Sequence, residues 1–152
     1  MELTGEHRLN QPPEVVWAAL FDSATLAVAI PGCEQLEQTA ENAFAATVKI
    51  KIGPVAARFK GDVELSEMVP PMSCLLSGKG SGGVAGFARG SAQVVLTAIE
   101  EGTLLTYTAD AALGGKLASL GSRLIQSTAN RLANDFFTTF SQVLNGEIVQ
   151  TD

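Results

Sequence analysis

The end of the chain carries one long helical pattern, Leu117–Leu144, behind a stretch that reads almost entirely as strands. It contains no proline, and its about 28 residues would reach ~42 Å at ~1.5 Å per residue. Projected at ~100° per residue, Leu117, Leu120, Leu124, Ile125, Leu132, Phe136, Phe140 and Val143 fall on one side. Lys116, Arg123, Ser127, Asn130, Asn134 and Ser141 mark a narrow opposite stripe. An apolar arc of half the circumference exceeds what one flat neighbour covers. This helix calls for a curved partner surface.

The residues before it supply one. Leu3, Gly5, His7 and Leu9 alternate with Glu2, Thr4, Glu6 and Arg8 as a first strand. Pro12-Pro13-Glu14 then opens a short helix whose apolar face is Val16, Trp17, Leu20 and Phe21, with proline in the first turn and an acid near the amino end. Asp22-Ser23 caps a second short helix, Ala24–Ile30, and Pro31-Gly32 stops it. Phe44, Ala46, Val48, Ile50 and Ile52 form one face of a strand. After Gly53-Pro54, Val55, Ala57, Phe59, Gly61, Val63 and Leu65 form one face of the next. Met72–Ser77 is a shorter strand, and Ala85–Ile99 and Thr103–Leu113 make a second hairpin. The expected fold is α+β: a curved antiparallel sheet wrapped around the long C-terminal helix, with two short helices after strand 1. One domain spans 1–145, with 146–152 as a C-terminal tail. The glycine cluster at 78–83 reads as a mobile hairpin or a rim loop.

A chain of 152 residues with 46% apolar and 17% charged residues can bury a substantial single core. Its net charge of −6 and pI near 4.7 disfavour a nucleic-acid partner, which needs clustered Lys and Arg. The same charge works against long-range attraction to an anionic membrane, while a local apolar or basic patch could still dock there. Cys33 and Cys74 lack CxxC spacing and read as a reduced pair. The polar, acidic start and the absence of any run of ~18 apolar residues lead us to expect a cytoplasmic protein.

Several motifs along this order resemble a known family. The run Pro12-Pro13-Glu14-Val15-Val16-Trp17 after a strand resembles the opening of the START/Bet v 1-like (helix-grip, SRPBCC) superfamily. Ile30-Pro31-Gly32-Cys33-Glu34 is similar to the short signature of the carbon monoxide dehydrogenase G-subunit family. So are Gly53-Pro54-Val55, Phe59-Lys60-Gly61 and Gly114-Gly115-Lys116-Leu117-Ala118-Ser119-Leu120-Gly121. The resemblance implies a helix-grip domain with an internal cavity for a small hydrophobic molecule, lipid- or quinone-like. It also implies service to a molybdenum-containing hydroxylase of the carbon monoxide dehydrogenase type, with peripheral contact at the inner membrane face. No metal or resident cofactor is implied beyond the bound lipid or quinone.

The residues themselves bear on a cavity. One face of the Ala85–Ile99 strand reads Gly86, Ala88, Gly90, Ala92, Val94, Leu96, Ala98, and one face of the last strand reads Leu105, Tyr107, Ala109, Ala111, Leu113. Small side chains facing a helix leave space that either collapses, fills with phenylalanines or holds a ligand. The expected ligand-binding residues are Phe59, Val63, Ala92, Val94, Tyr107, Ala109, Leu117, Leu120, Leu124 and Thr128. The phenylalanines crowd the second half of the long helix, so its Leu117–Thr128 half is expected to border the open space. Tyr107, the only tyrosine, is expected to bond a buried partner, more often backbone than ligand. His7, the only histidine, lacks companions for a metal. No Ser or Cys has a visible base, Asp62/Glu64 lie on a polar strand face, and Gly78–Gly83 lacks the spacing and following helix of a phosphate loop. No catalytic or metal residue is therefore assigned. A non-catalytic ligand-binding accessory protein is the leading reading. Its alternatives are a cyclase- or hydrolase-like enzyme, which needs Asp110 or a glutamate buried beside Tyr107, and a ligand-free membrane adaptor.

Overall fold

The computed structural model describes residues 1–147; 148–152, most of the expected tail, lie outside the described residues. The elements run β1 (Glu2–Leu9), α1 (Pro13–Leu20), α2 (Ser23–Ala29), β2 (Cys33–Ala40), β3 (Ala43–Ile52), β4 (Val55–Val69), β5 (Ser73–Ser81), β6 (Phe87–Ile99), β7 (Gly102–Gly114) and α3 (Ser122–Leu144). Short 3-10 segments at Gly83–Ala85 and Gly115–Leu120 precede β6 and α3. The seven strands form one antiparallel sheet in the order β1-β7-β6-β5-β4-β3-β2. This is the α+β arrangement that the strand and helix periodicities imply, and it matches the helix-grip fold that the resemblance implies.

The structure departs from the sequence expectation most in one strand that expectation did not name, in the length of β5 and in the start of α3, each for a local reason. β2, Cys-Glu-Gln-Leu-Glu-Gln-Thr-Ala, has no apolar alternation because it is an edge strand, exposed over most of its length. β5 does not end at Ser77 but runs through Gly78 and Gly80 to Ser81, so that part of the glycine cluster is strand rather than loop. The long terminal pattern is broken at Gly121, whose φ of +90° a side-chain-bearing residue rarely adopts. Leu117 and Leu120 therefore sit on a 3-10 segment, out of helical phase with the rest.

Local chemistry sets the connections. Pro12-Pro13 starts α1, and Asp22 caps α2, its Oδ2 accepting from Thr25 N at 3.1 Å and from Thr25 Oγ1 at 2.7 Å. The buried Thr103 Oγ1 donates to the Gln11 carbonyl at 2.7 Å, pinning the β1–α1 connection to β7. The β5–β6 and β7–α3 connections cross so closely that a Cβ on Gly86 would overlap the Gly114 carbonyl.

The core is two apolar clusters at opposite ends of the sheet. The larger gathers Leu9, Val16, Ala29, Cys74, Val94, Leu96 and Leu105 around Phe140, which is fully buried. The smaller is Phe59, Ala85 and Leu117, edged by Val48, Ile50, Val55, Leu113 and Leu120. Both cysteines are free, as expected. Truncation of the central anchor, Phe140→Ala, should destabilise the fold by about 3–5 kcal/mol, read as a lower urea midpoint with unchanged slope. Asp22→Ala, which removes only a cap, should cost about 1 kcal/mol in the same measurement.

Candidate functional site

Between the two clusters the sheet is floored by small residues, and the register shows how they meet. Ala46, Gly61, Gly80 and Ala88 pair in one row across β3–β6. Gly78, Gly90 and Ala111 pair in the next, opposite Val63, and Ala92 pairs with Ala109 in a third beside Leu76. Every one of these belongs to the inward phase of its strand. A cavity of about 730 Å³ lies above this floor, roofed by Ala129, Asn130, Ala133, Phe136 and Phe137 of α3 and closed laterally by Leu26, Ile30 and Leu36. Its other contacts include Leu3, Leu20, Phe21, Phe44, Leu65 and Leu105. The walls are overwhelmingly hydrocarbon.

Of the expected ligand-binding residues, Phe59, Val63, Ala92, Val94, Tyr107 and Ala109 line this cavity together. Leu117, Leu120, Leu124 and Thr128 do not. Leu117 is buried in the smaller cluster with Leu120 beside it, and Leu124 lies over Gly53 at the β3–β4 turn. Thr128 is buried on the flank of α3 that carries Leu124, away from Ala129 and Ala133. Phe136, Phe137 and Phe140 pack in the larger cluster and orient α3 so that its small residues overlie the floor, while the break at Gly121 takes Leu117 and Leu120 out of the helix. The open space thus borders the middle of α3 rather than its amino-terminal half. Ala129 and Ala133 were the missed residues; their spacing of four, on the helix face leading to Phe136 and Phe140, was the available signal.

The larger cluster meets the cavity through an aromatic group. The His7 ring stacks on Phe137 with centroids 4.0 Å apart and planes 22° apart, and Phe136 meets Phe137 edge-on at 4.9 Å. Tyr107 lies parallel to both His7 and Phe137 at 6.4 Å, occupying room that exists because its cross-strand partner is Gly5. Among the described residues no protein group bonds the Tyr107 hydroxyl, so of the two expected partners, backbone and ligand, the backbone is not the one it uses. Burial pushes its pKa up, so it stays a neutral donor. Burial lowers the pKa of His7, against a smaller opposing effect of Glu6.

Among the described residues the ionisable groups near this lining are not gathered beside Tyr107. Asp110 borders the cavity, but its exposed carboxylate pairs with the Met1 amino group at 3.3 Å instead of Tyr107. Burial raises the pKa of both Cys33 and Cys74, which keeps them as thiols. Among the described residues no group of three or more His, Cys, Asp or Glu could hold a metal ion. No helix among them is long and apolar enough to cross a membrane.

The family model for the carbon monoxide dehydrogenase G subunit (CoxG) matches residues 5–145. The chain belongs to the CoxG family. No curated protein matches it. Among solved structures, a conserved protein from Geobacillus kaustophilus is 32% identical, with 96% of each chain covered and a TM-score of 0.90. The ZhuI aromatase/cyclase from a Streptomyces species shares the fold at 10% identity, 95% and 93% coverage and a TM-score of 0.70. A Thermus thermophilus protein does so at 16% identity, 98% and 100% coverage and a TM-score of 0.71. The last two establish fold alone.

Two outcomes test this geometry. Ala109→Phe fills floor space at a position that belongs to neither cluster. It should change stability by no more than about 1–3 kcal/mol while abolishing enhanced fluorescence of a neutral naphthylamine probe. His7 carries a pKa depressed below its ordinary 6.5 in the folded state. Its contribution is therefore intact above that value and is lost as pH falls through the window below it. His7→Leu should flatten the decline in urea midpoint between about pH 7 and pH 5 relative to the parent protein.

Proposed function

We propose that this member of the CoxG family is a non-catalytic accessory protein. In this reading it carries a small hydrophobic molecule, lipid- or quinone-like, in the cavity between sheet and α3, and it serves a molybdenum-containing hydroxylase of the carbon monoxide dehydrogenase type. One observation carries the ligand: the small-residue floor of three sheet rows beneath Ala129 and Ala133, which no side chain among the described residues fills. Each ~100 Å² of apolar surface buried there contributes ~2.5 kcal/mol. An unpaired charge brought in would cost several kcal/mol, on the order of what such burial returns. The balance favours a neutral, mostly hydrocarbon molecule. The Tyr107 hydroxyl supplies one donor for a carbonyl or ether oxygen. Family membership supports the hydroxylase partner; the reading adds a cytoplasmic place beside the membrane, from which such a ligand would come.

Native mass spectrometry of the purified protein, followed by organic extraction, checks the ligand. The expected result is a copurified neutral apolar molecule that Ala109→Phe excludes. An empty protein that also fails to take up added long-chain quinone or diacylglycerol would sink the reading. Tyr107→Phe should retain an apolar ligand with affinity lowered by about fivefold to tenfold, the effect of one net hydrogen bond.

A further inference from the structure

The chain is acidic overall, yet its cations are segregated. Lys49, Lys51, Arg58, Lys60, Lys79 and Arg89 all stand on the outward phase of β3–β6, in the half nearest the β3–β4 and β5–β6 turns. Lys116, Arg123 and Arg131 follow at the β7–α3 connection and the first half of α3. Antiparallel pairing brings these segments to one pole. That pole therefore holds nine of the ten Lys and Arg side chains. The tenth, Arg8, lies towards the other end and pairs with Glu101 at 3.2 Å. Glu6, Glu41, Glu67, Glu100 and Glu101 gather towards that opposite pole.

The basic pole also has apolar tips. Val84, 86% exposed, caps the β5–β6 connection, and Phe87, 50% exposed, follows it at the start of β6. Phe87 shares its cross-strand row with Lys60 and its strand face with Arg89. The inner side of the same connection is anchored by Ala85, buried with Phe59 and Leu117. The tips are thus held out from a packed base. The acidic pole has exposed apolar residues too, Val69 and Met72, but without a ring of cations.

We propose that the basic pole is a docking surface for an anionic phospholipid bilayer. Val84 and Phe87 enter the headgroup region while Lys60, Lys79, Arg89 and Lys116 lie against the phosphates. Charge complementarity selects this occupant: apolar tips ringed by Lys and Arg match a negatively charged leaflet, and the acidic opposite pole is repelled from it. The charge separation orients the molecule even though its net charge is negative. The proposal rests on the reading that the protein meets a membrane, and names the face and the lipid chemistry it uses.

Flotation of the full chain with vesicles of phosphatidylcholine alone, or mixed with phosphatidylglycerol, tests it. The protein should float only with the anionic vesicles, and lose most binding near ~0.5 M salt. The double variant Lys60→Glu/Arg89→Glu should reduce the bound fraction by about tenfold or more. Val84→Ser/Phe87→Ser should reduce it by about fivefold, and Val69→Ser/Met72→Ser should leave it unchanged. Circular dichroism checks that each variant is folded. Equal flotation on neutral vesicles, or equal loss from the Val69/Met72 pair, overturns the proposal. So does an absence of flotation at low salt, which would leave the basic pole to an acidic protein surface. Mass spectrometry of the same samples separates the two readings: a protein that floats but is empty keeps the docking surface and loses the ligand. One that carries ligand but never floats does the reverse.

Discussion

Everything about the interior depends on α3 being held at a distance from the sheet by packing at its two ends. Phe140, Phe136 and Phe137 seat the carboxyl half on the Leu9–Val94–Leu105 cluster. The 3-10 segment before α3 seats the other end through Leu117 on Phe59 and Ala85. Between these seats the helix presents alanines and the sheet presents glycines and alanines. Protein interiors ordinarily close such gaps to crystal-like density. Here collapse would require α3 to descend, which the phenylalanines at one end and the crossing of Gly86 with Gly114-Gly115 at the other prevent. The cavity is the space left by two well-packed supports.

The strand phases explain how much of this was legible. Alternation in β3, β4, β6 and β7 follows from one-sided burial, so the inward residues of each could be assigned from a period of two. The small phase of β6 and β7 could be read the same way, and Ala92, Val94, Tyr107 and Ala109 lie on the cavity as that phase implies. What failed was whatever depends on a neighbour rather than on a period. β2 is an edge strand with Glu, Gln and Thr on both faces, and its pairing with β3 is the only reason it is extended. Gly78 and Gly80 look like a loop, but each lies within a strand because β4 and β6 pair with it on either side. A single residue, Gly121, separated Leu117 and Leu120 from the helix they seemed to begin.

The faces of α3 divide accordingly. Leu124 and Leu132 turn towards the end of β3 and its turn into β4, where Arg131 also donates to the Lys51 carbonyl at 3.4 Å. Ala129 and Ala133, on the face that continues to Phe136 and Phe140, are left over the floor. The phenylalanines that seat the helix thereby fix which of its residues bound the volume beneath it.

Net charge describes this surface only from a distance, and the reason is general. A net charge of −6 describes the field far from the molecule, beyond a Debye length of ~8 Å at physiological salt. Contact with a surface is governed by the charges within that length, and antiparallel topology sorts them. Residues near the end of one strand and the start of the next arrive at the same pole, so Lys49 stands opposite Arg58 with Lys51 and Lys60 close by. Clustering like charges costs stability through repulsion. Arg58 is relieved by Glu34 at 2.8 Å, and Asp62 stands opposite Lys79 in the register, but Lys79 in turn faces Arg89. A patch left this basic, on strands that also border the cavity floor, is the feature on which the proposed docking surface rests. The same sheet that leaves room inside by its small residues gathers charge outside by its turns.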